Sequence, residues 1–87
     1  MSFNFSERVR RIVRRIPPGQ TLSYQEVARR AGSPRAARAV GAIMSKNYDP
    51  AVPCHRVVRS DGRPGGYNRG GAEAKAALLA KEQKYGR

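Results

Sequence analysis

Residues 53–58 read PCHRVV and hold both the single cysteine, Cys54, and the single histidine, His55, of the chain. A free thiol has a pKa of about 8.5, so only a small fraction is thiolate at neutral pH. A nucleophilic cysteine therefore needs a base, a nearby positive charge or a helix N-terminus, and His55 is a base of the right kind. Adjacency alone does not set imidazole against sulfur, because neighbours on an extended strand point to opposite sides. Pro53 biases Val52 toward an extended conformation and offers a bend through which both side chains can face one pocket. On composition alone a single cysteine is more often buried and inert. The pair thus reads as a nucleophile with its base or as a small core residue with a polar neighbour.

One cysteine cannot form an intramolecular disulfide. One cysteine and one histidine also cannot supply the three or four ligands of a zinc site. No metal and no cofactor is expected, and the thiol is expected to be reduced, in a cytoplasmic protein. The chain has no apolar run of bilayer-spanning length and no hydrophobic N-terminal signal. Its 18 Lys plus Arg against 6 Asp plus Glu give a net charge of +12 on 87 residues. Such an excess favours a polyanion. The basic segments lack the bulky apolar face of an interfacial helix, so nucleic acid is favoured over a membrane; a merely solubilising surface is the plainer alternative.

These residues need elements to position them. In NFSERVRRIVRRI, Phe5, Val9, Ile12, Val13 and Ile16 recur at helical spacing, Asn4 caps the start with Glu7 three residues on, and PPG at 17–19 stops the helix. SYQEVARRAG predicts a second helix, capped by Ser23 with Glu26 and ended at Gly32. SPRAARAVGAIMSKN predicts a third, with Ser33 as N-cap, Pro34 at the first helical position and an end near Lys46. Two short helices joined at Gly32-Ser33 form a helix-turn-helix pattern. The third helix carries Arg35 and Arg38 near its start and otherwise small residues, which suits close approach to a groove or close helix packing. RVVRSDGRPGGYN reads as a strand, a turn at 60–62 and an irregular return, hence a small β-hairpin or wing. GGAEAKAALLAKEQ is a last helix, with Ala76, Leu79 and Ala80 available to dock on the first. The expected fold is mostly α with a small β-hairpin, a winged helix-turn-helix-like single domain over 1–87, with its core at about 5–82 and a loose tail at 83–87.

PCHRVV, together with SYQEVARRAG, RAARAVGAIM and GGYNRGG…LLAKE, resembles the DNA-binding, active-site domain of the O6-alkylguanine-DNA alkyltransferases. The likeness runs from Phe5 to Glu82. It implies irreversible, single-turnover transfer of an alkyl group from O6 of guanine to Cys54, with duplex DNA containing O6-alkylguanine as partner and a monomeric protein. It implies that His55 draws the thiol proton through a water, that Glu82 orients and charge-balances His55, that Tyr24 donates to the departing guanine and that Asn47 braces the active-site loop. The displacement is at an alkyl carbon, so no tetrahedral intermediate forms; charge develops on guanine O6 and N3. The target base must leave the stack. By resemblance, Arg38 is the finger that takes its place. Ser33, Tyr24, Arg35, Ala37, Ala39 and Gly41 accompany it on the DNA side, in the minor groove. Val57, Gly66, Tyr67 and Asn68 shape the base pocket.

The sequence departs from the family pattern in three places. Most members carry a further N-terminal domain, which this sequence is expected to lack. The loop from Asn47 to Cys54 is about one residue shorter than in long members. Asn68 stands where a small hydroxyl residue is usual. Two rival readings follow. The alkyltransferase-like proteins bind alkylated guanine, lack the cysteine and hand the lesion to nucleotide excision repair proteins. A winged-helix regulator would need base-edge readers in its recognition helix, where RAARAVGAIM offers only arginines.

Overall fold

A computed structural model describes residues 3–49, 51–61 and 70–85. Helix α1 (Phe5–Arg14) forms as its caps and spacing require. The Asn4 side-chain oxygen accepts the Glu7 amide at 2.8 Å, an N-cap of about 1 kcal/mol. Val9, Val13 and, beyond the helix, Ile16 are buried. Gly19, at φ +87°, completes the stop after Pro17 and Pro18. Strand β1 (Leu22–Ser23) leads into α2 (Tyr24–Arg30), whose Glu26 amide is capped by the Ser23 hydroxyl at 2.9 Å.

Helix α3 (Ala37–Ser45) begins three residues later than the Ser33 cap predicts. The end of α2 accounts for the delay. Gly32 adopts φ +92°, the Gly32 amide donates to the Arg29 carbonyl, and the Ser33 amide donates to the Ala28 carbonyl at 2.9 Å. This is a Schellman closure, and it uses Ser33 to finish α2. Pro34 then occupies the second position of a turn closed by the Ala36 amide on the Ser33 carbonyl at 2.9 Å, a position proline favours. Ala36, left at the N-cap, makes no side-chain cap bond.

Residues Cys54–Arg56 form a single 3-10 turn, and β2 (Val57–Val58) follows it. β2 pairs in parallel with β1, Leu22 opposite Val57 and Ser23 opposite Val58. The strand is thus held by the segment before α2. The return arm expected after the turn at 60–62 lies outside the described residues. Helix α4 (Gly71–Tyr85) includes residues 83–85, which the sequence reading places in a loose tail. It packs on the 54–56 turn. Its inward residues are Lys75, Leu78, Leu79 and Glu82, while Ala76 and Ala80 are exposed, which corrects the expected docking face. No described helix is long and apolar enough to cross a membrane.

The core joins α1, α2 and α3 through Val9, Val13, Val27, Ala28, Val40 and Met44, and extends to Val52, Cys54 and Val57. Each fully buried valine contributes on the order of 1.5–3 kcal/mol. Cys54 is only 6% exposed and packs as part of this core.

Candidate active site

The 3-10 turn changes the geometry that the Cys-His pair would have on a strand. Successive side chains on such a turn diverge by about 120° rather than 180°, so Cys54 can face the core while His55 faces α4. His55 Nε2 lies 2.8 Å from Glu82 Oε2, with both side chains largely buried. Arg56 grips the same carboxylate: Nε lies 2.9 Å from Oε1 and Nη2 lies 2.6 Å from Oε2. Arg56 Nη1 also donates to the Ile16 carbonyl at 2.8 Å. These donors, Arg56 foremost and then His55, hold the Glu82 carboxyl below the usual carboxylate range against the opposing effect of its burial.

Tyr24 stands at the first position of α2, and its hydroxyl accepts a hydrogen bond from Lys75 Nζ at 3.0 Å. Burial first, and then the negative charge that Cys54 can carry, push the Tyr24 hydroxyl above its ordinary pKa. The phenol therefore stays protonated. Lys75 is 1% exposed. Burial lowers its pKa to about 8, partly offset by attraction to a Cys54 thiolate. Sulfur, phenol and ammonium thus form one electrostatic group.

Asn47, expected to brace the loop, is buried, and its Nδ2 donates to the Val52 carbonyl at 3.1 Å. The Asp49 side chain caps the Ala51 amide at 2.9 Å and the Cys54 amide bonds the Val52 carbonyl at 2.8 Å. The approach to Cys54 is therefore fixed by backbone contacts. Val57 is wholly buried beneath the site as a core residue. Gly66, Tyr67 and Asn68 lie outside the described residues.

Beside Tyr24 an open cleft of about 490 Å³ is lined by Gln25, Pro34, Arg35, Ala37 and Arg38 on one wall and by Arg59 and Ser60 on the other. Arg35, Arg38 and Ala39 are exposed, and Ala37 and Gly41 half-buried. Ser33 sits in the turn between α2 and α3. Gly41 distinguishes the two uses of small residues left open by the sequence. A Cβ built there meets nothing within 4 Å among the described residues, so packing against those residues does not require glycine. The small-residue surface faces outward.

Reasoning from sequence missed Lys75, Arg56, Gln25, Arg59 and Ser60. Lys75 carries a signal that a search could use. It stands seven residues before Glu82, two helical turns away on the same face, with the inward Leu78 and Leu79 between them.

Known proteins with this geometry are found by comparison. Residues 4–84 match the family model described as 6-O-methylguanine DNA methyltransferase, DNA binding domain. The chain is 57% identical over 65 residues to the methylated-DNA--protein-cysteine methyltransferase of Mus musculus, covering 74% of this chain and 31% of that protein. A crystal structure of Mycobacterium tuberculosis OGT in complex with DNA superposes with a TM-score of 0.86 at 42% identity, over 97% of this chain and 51% of that one. S. pombe Atl1, in complex with damaged DNA containing O6-carboxymethylguanine, superposes with a TM-score of 0.79 at 32% identity, over 94% of this chain and 79% of that one. The chain therefore spans about a third of the mouse protein and about half of the mycobacterial one. With the matched segment running nearly end to end, the chain belongs to the 6-O-methylguanine DNA methyltransferase family through its DNA-binding domain.

Proposed function

We propose that this protein removes the alkyl group from O6-alkylguanine in duplex DNA by transferring it to Cys54. The observation that carries this reading is the His55–Glu82 pair at 2.8 Å, its histidine on the same turn as Cys54, with the bonded Tyr24 and Lys75 within electrostatic reach of the sulfur. The arginines of the neighbouring cleft and the uncapped start of α3 suit phosphate oxygens. Arg38 fills the stack vacated by the flipped base, and the outward small-residue face of α3 lets its backbone enter the minor groove.

In the reaction His55 takes the Cys54 proton over a water, and Glu82 balances the resulting imidazolium. The thiolate attacks the alkyl carbon, the S–C bond forms as the C–O6 bond breaks, and the bonding pair leaves with guanine. Tyr24, kept protonated by burial, delivers a proton to the departing base. Lys75, bonded to the Tyr24 oxygen, disperses the phenolate charge and can return the proton. The thioether has no leaving proton and no route back, so each chain reacts once.

Incubation with duplex DNA containing O6-methylguanine, followed by intact-protein mass measurement, tests the reading. The expected result is a gain of about 14 Da, the difference between S–CH3 and S–H, at Cys54 and never more than one equivalent. A second reading is lesion binding without transfer, with the lesion passed to excision repair. Its support is the likeness to S. pombe Atl1, of which 79% is covered. Tight binding of the modified duplex with no gain in mass would establish that reading in place of the first.

A further inference from the structure

Arg56 has no part in the reaction as written, yet its guanidinium is heavily engaged beside Cys54, with bonds to two different groups. It donates to both Glu82 oxygens, at 2.9 and 3.1 Å from Nε and 2.6 Å from Nη2. Its remaining arm reaches the Ile16 carbonyl, 40 residues earlier in the chain, at 2.8 Å. That carbonyl lies just past the end of α1, where helix carbonyls lack intrahelical donors, and the next two residues are prolines with no N–H to offer. A planar guanidinium held by a carbonyl on one side and a carboxylate on the other has a single orientation. Glu82, by contrast, has three rotatable bonds, and its backbone lies in the last turns of a helix whose neighbour is the 54–56 turn. Without a second donor its carboxylate could turn away from His55.

The geometry points to Arg56 as the positioning residue of the Cys54 site: anchored on the Ile16 carbonyl, it fixes the Glu82 carboxylate in the one orientation from which Oε2 serves His55. The inference rests on the transfer reading for its reaction, but its physical content is the activation of a thiol. Arg56 acts through Glu82 and touches neither sulfur nor guanine. Its bonds also join the end of α1, the active-site turn and α4 at one point, so the base's orientation is set by three segments distant in sequence.

The test compares Arg56→Met and Arg56→Lys, each made in the wild type and in Glu82→Gln. Three quantities are measured: methyl transfer at saturating modified duplex, duplex affinity, and the rate at which iodoacetamide alkylates Cys54. Arg56→Met should slow both thiol reactions about 10- to 100-fold, the scale of a small misplacement in a catalytic constellation, with duplex affinity changed less than about threefold. Arg56→Lys keeps the charge without the fork and should recover only part of the rate. In the Glu82→Gln background the further loss from either substitution should shrink to less than about twofold, because both residues work through one carboxylate. Equal losses in the two backgrounds would overturn the proposal, as would a fall in melting temperature with the rates of the folded protein unchanged. Should Arg56→Met fail to fold, the Arg56→Lys pair alone decides between these outcomes. If the wild type takes no methyl from DNA while iodoacetamide still reports an Arg56 effect that needs Glu82, the positioning role stands and the transfer reading falls.

Discussion

Lys75 holds a cation in a buried place, with 1% of its surface exposed and the Tyr24 hydroxyl among its partners at 3.0 Å. Its folded pKa of about 8 lies below the 10.5 of an ordinary lysine. Between those values the unfolded chain holds more protons at this position than the folded one, so stability rises with pH through the window. The slope from one such group is at most about 1.4 kcal/mol per pH unit. Lys75→Met should remove that slope between pH 8 and 10, measured as the difference in urea midpoint between variant and wild type. An unchanged slope would mean that the ammonium is solvated. Tyr24, whose pKa is raised above 10, opposes the trend only at higher pH. Glu82 acts in the same direction in an acid window: its depressed carboxyl contributes stability that is fully present above about pH 4.5 and lost as pH falls. Cys54, His55 and Glu82 were legible in the sequence because two of them are unique residues in a specific motif. Lys75 was hidden among 18 cationic side chains, where one buried lysine reads like another surface charge.

Helix α3 has a helical glycine that packing among the described residues does not require. A methyl at Gly41 meets nothing within 4 Å among the described residues, and Gly41→Ala should stabilise the protein by about 0.5–1 kcal/mol through helix propensity. The same methyl would stand on the surface proposed to enter a groove. Gly41→Ala is therefore expected to raise the melting temperature while weakening duplex binding, and Gly41→Leu should weaken it further. A gain in stability with unchanged affinity would remove α3 from the interface. At this scale α1 and α2 were readable because cap, apolar spacing and stop agreed, as at Asn4, Ser23 and Gly32. The start of α3 was not, since Ser33 suits both the end of one helix and the beginning of the next. Only the competition between the Ala28 carbonyl and a new cap decides it. The pairing of β2 was equally hidden: a two-residue parallel ladder to Leu22–Ser23 has no local signature in either segment.

The whole molecule carries a net charge of +12, and Arg35, Arg38 and Arg59 gather part of it on one cleft. Affinity for unmodified duplex should fall steeply as salt rises, with a log–log slope of roughly −0.9 for each phosphate neutralised. Arg59→Ala should reduce the slope by about one if that wall of the cleft meets the backbone. A slope that the substitution leaves unchanged would confine contact to the α3 wall. Charge and motif made a nucleic-acid partner legible, but the assembly of the site from Tyr24, the 54–56 turn and α4 depends on long-range packing that no stretch of sequence announces. One further property follows from that packing. Cys54 is at once the proposed alkyl acceptor and a piece of the hydrophobic core, 6% exposed and clustered with Val52 and Val57. Alkylation places carbon where the interior was fitted to a thiol hydrogen, and overfilling a packed interior costs about 1–3 kcal/mol. A domain of this size then melts about 4–8 °C lower for each kcal/mol lost. Spent and unspent molecules are thus expected to differ in durability as well as in mass, with bulkier adducts loosening the fold more. The chemical history of each molecule is written into how easily it unfolds.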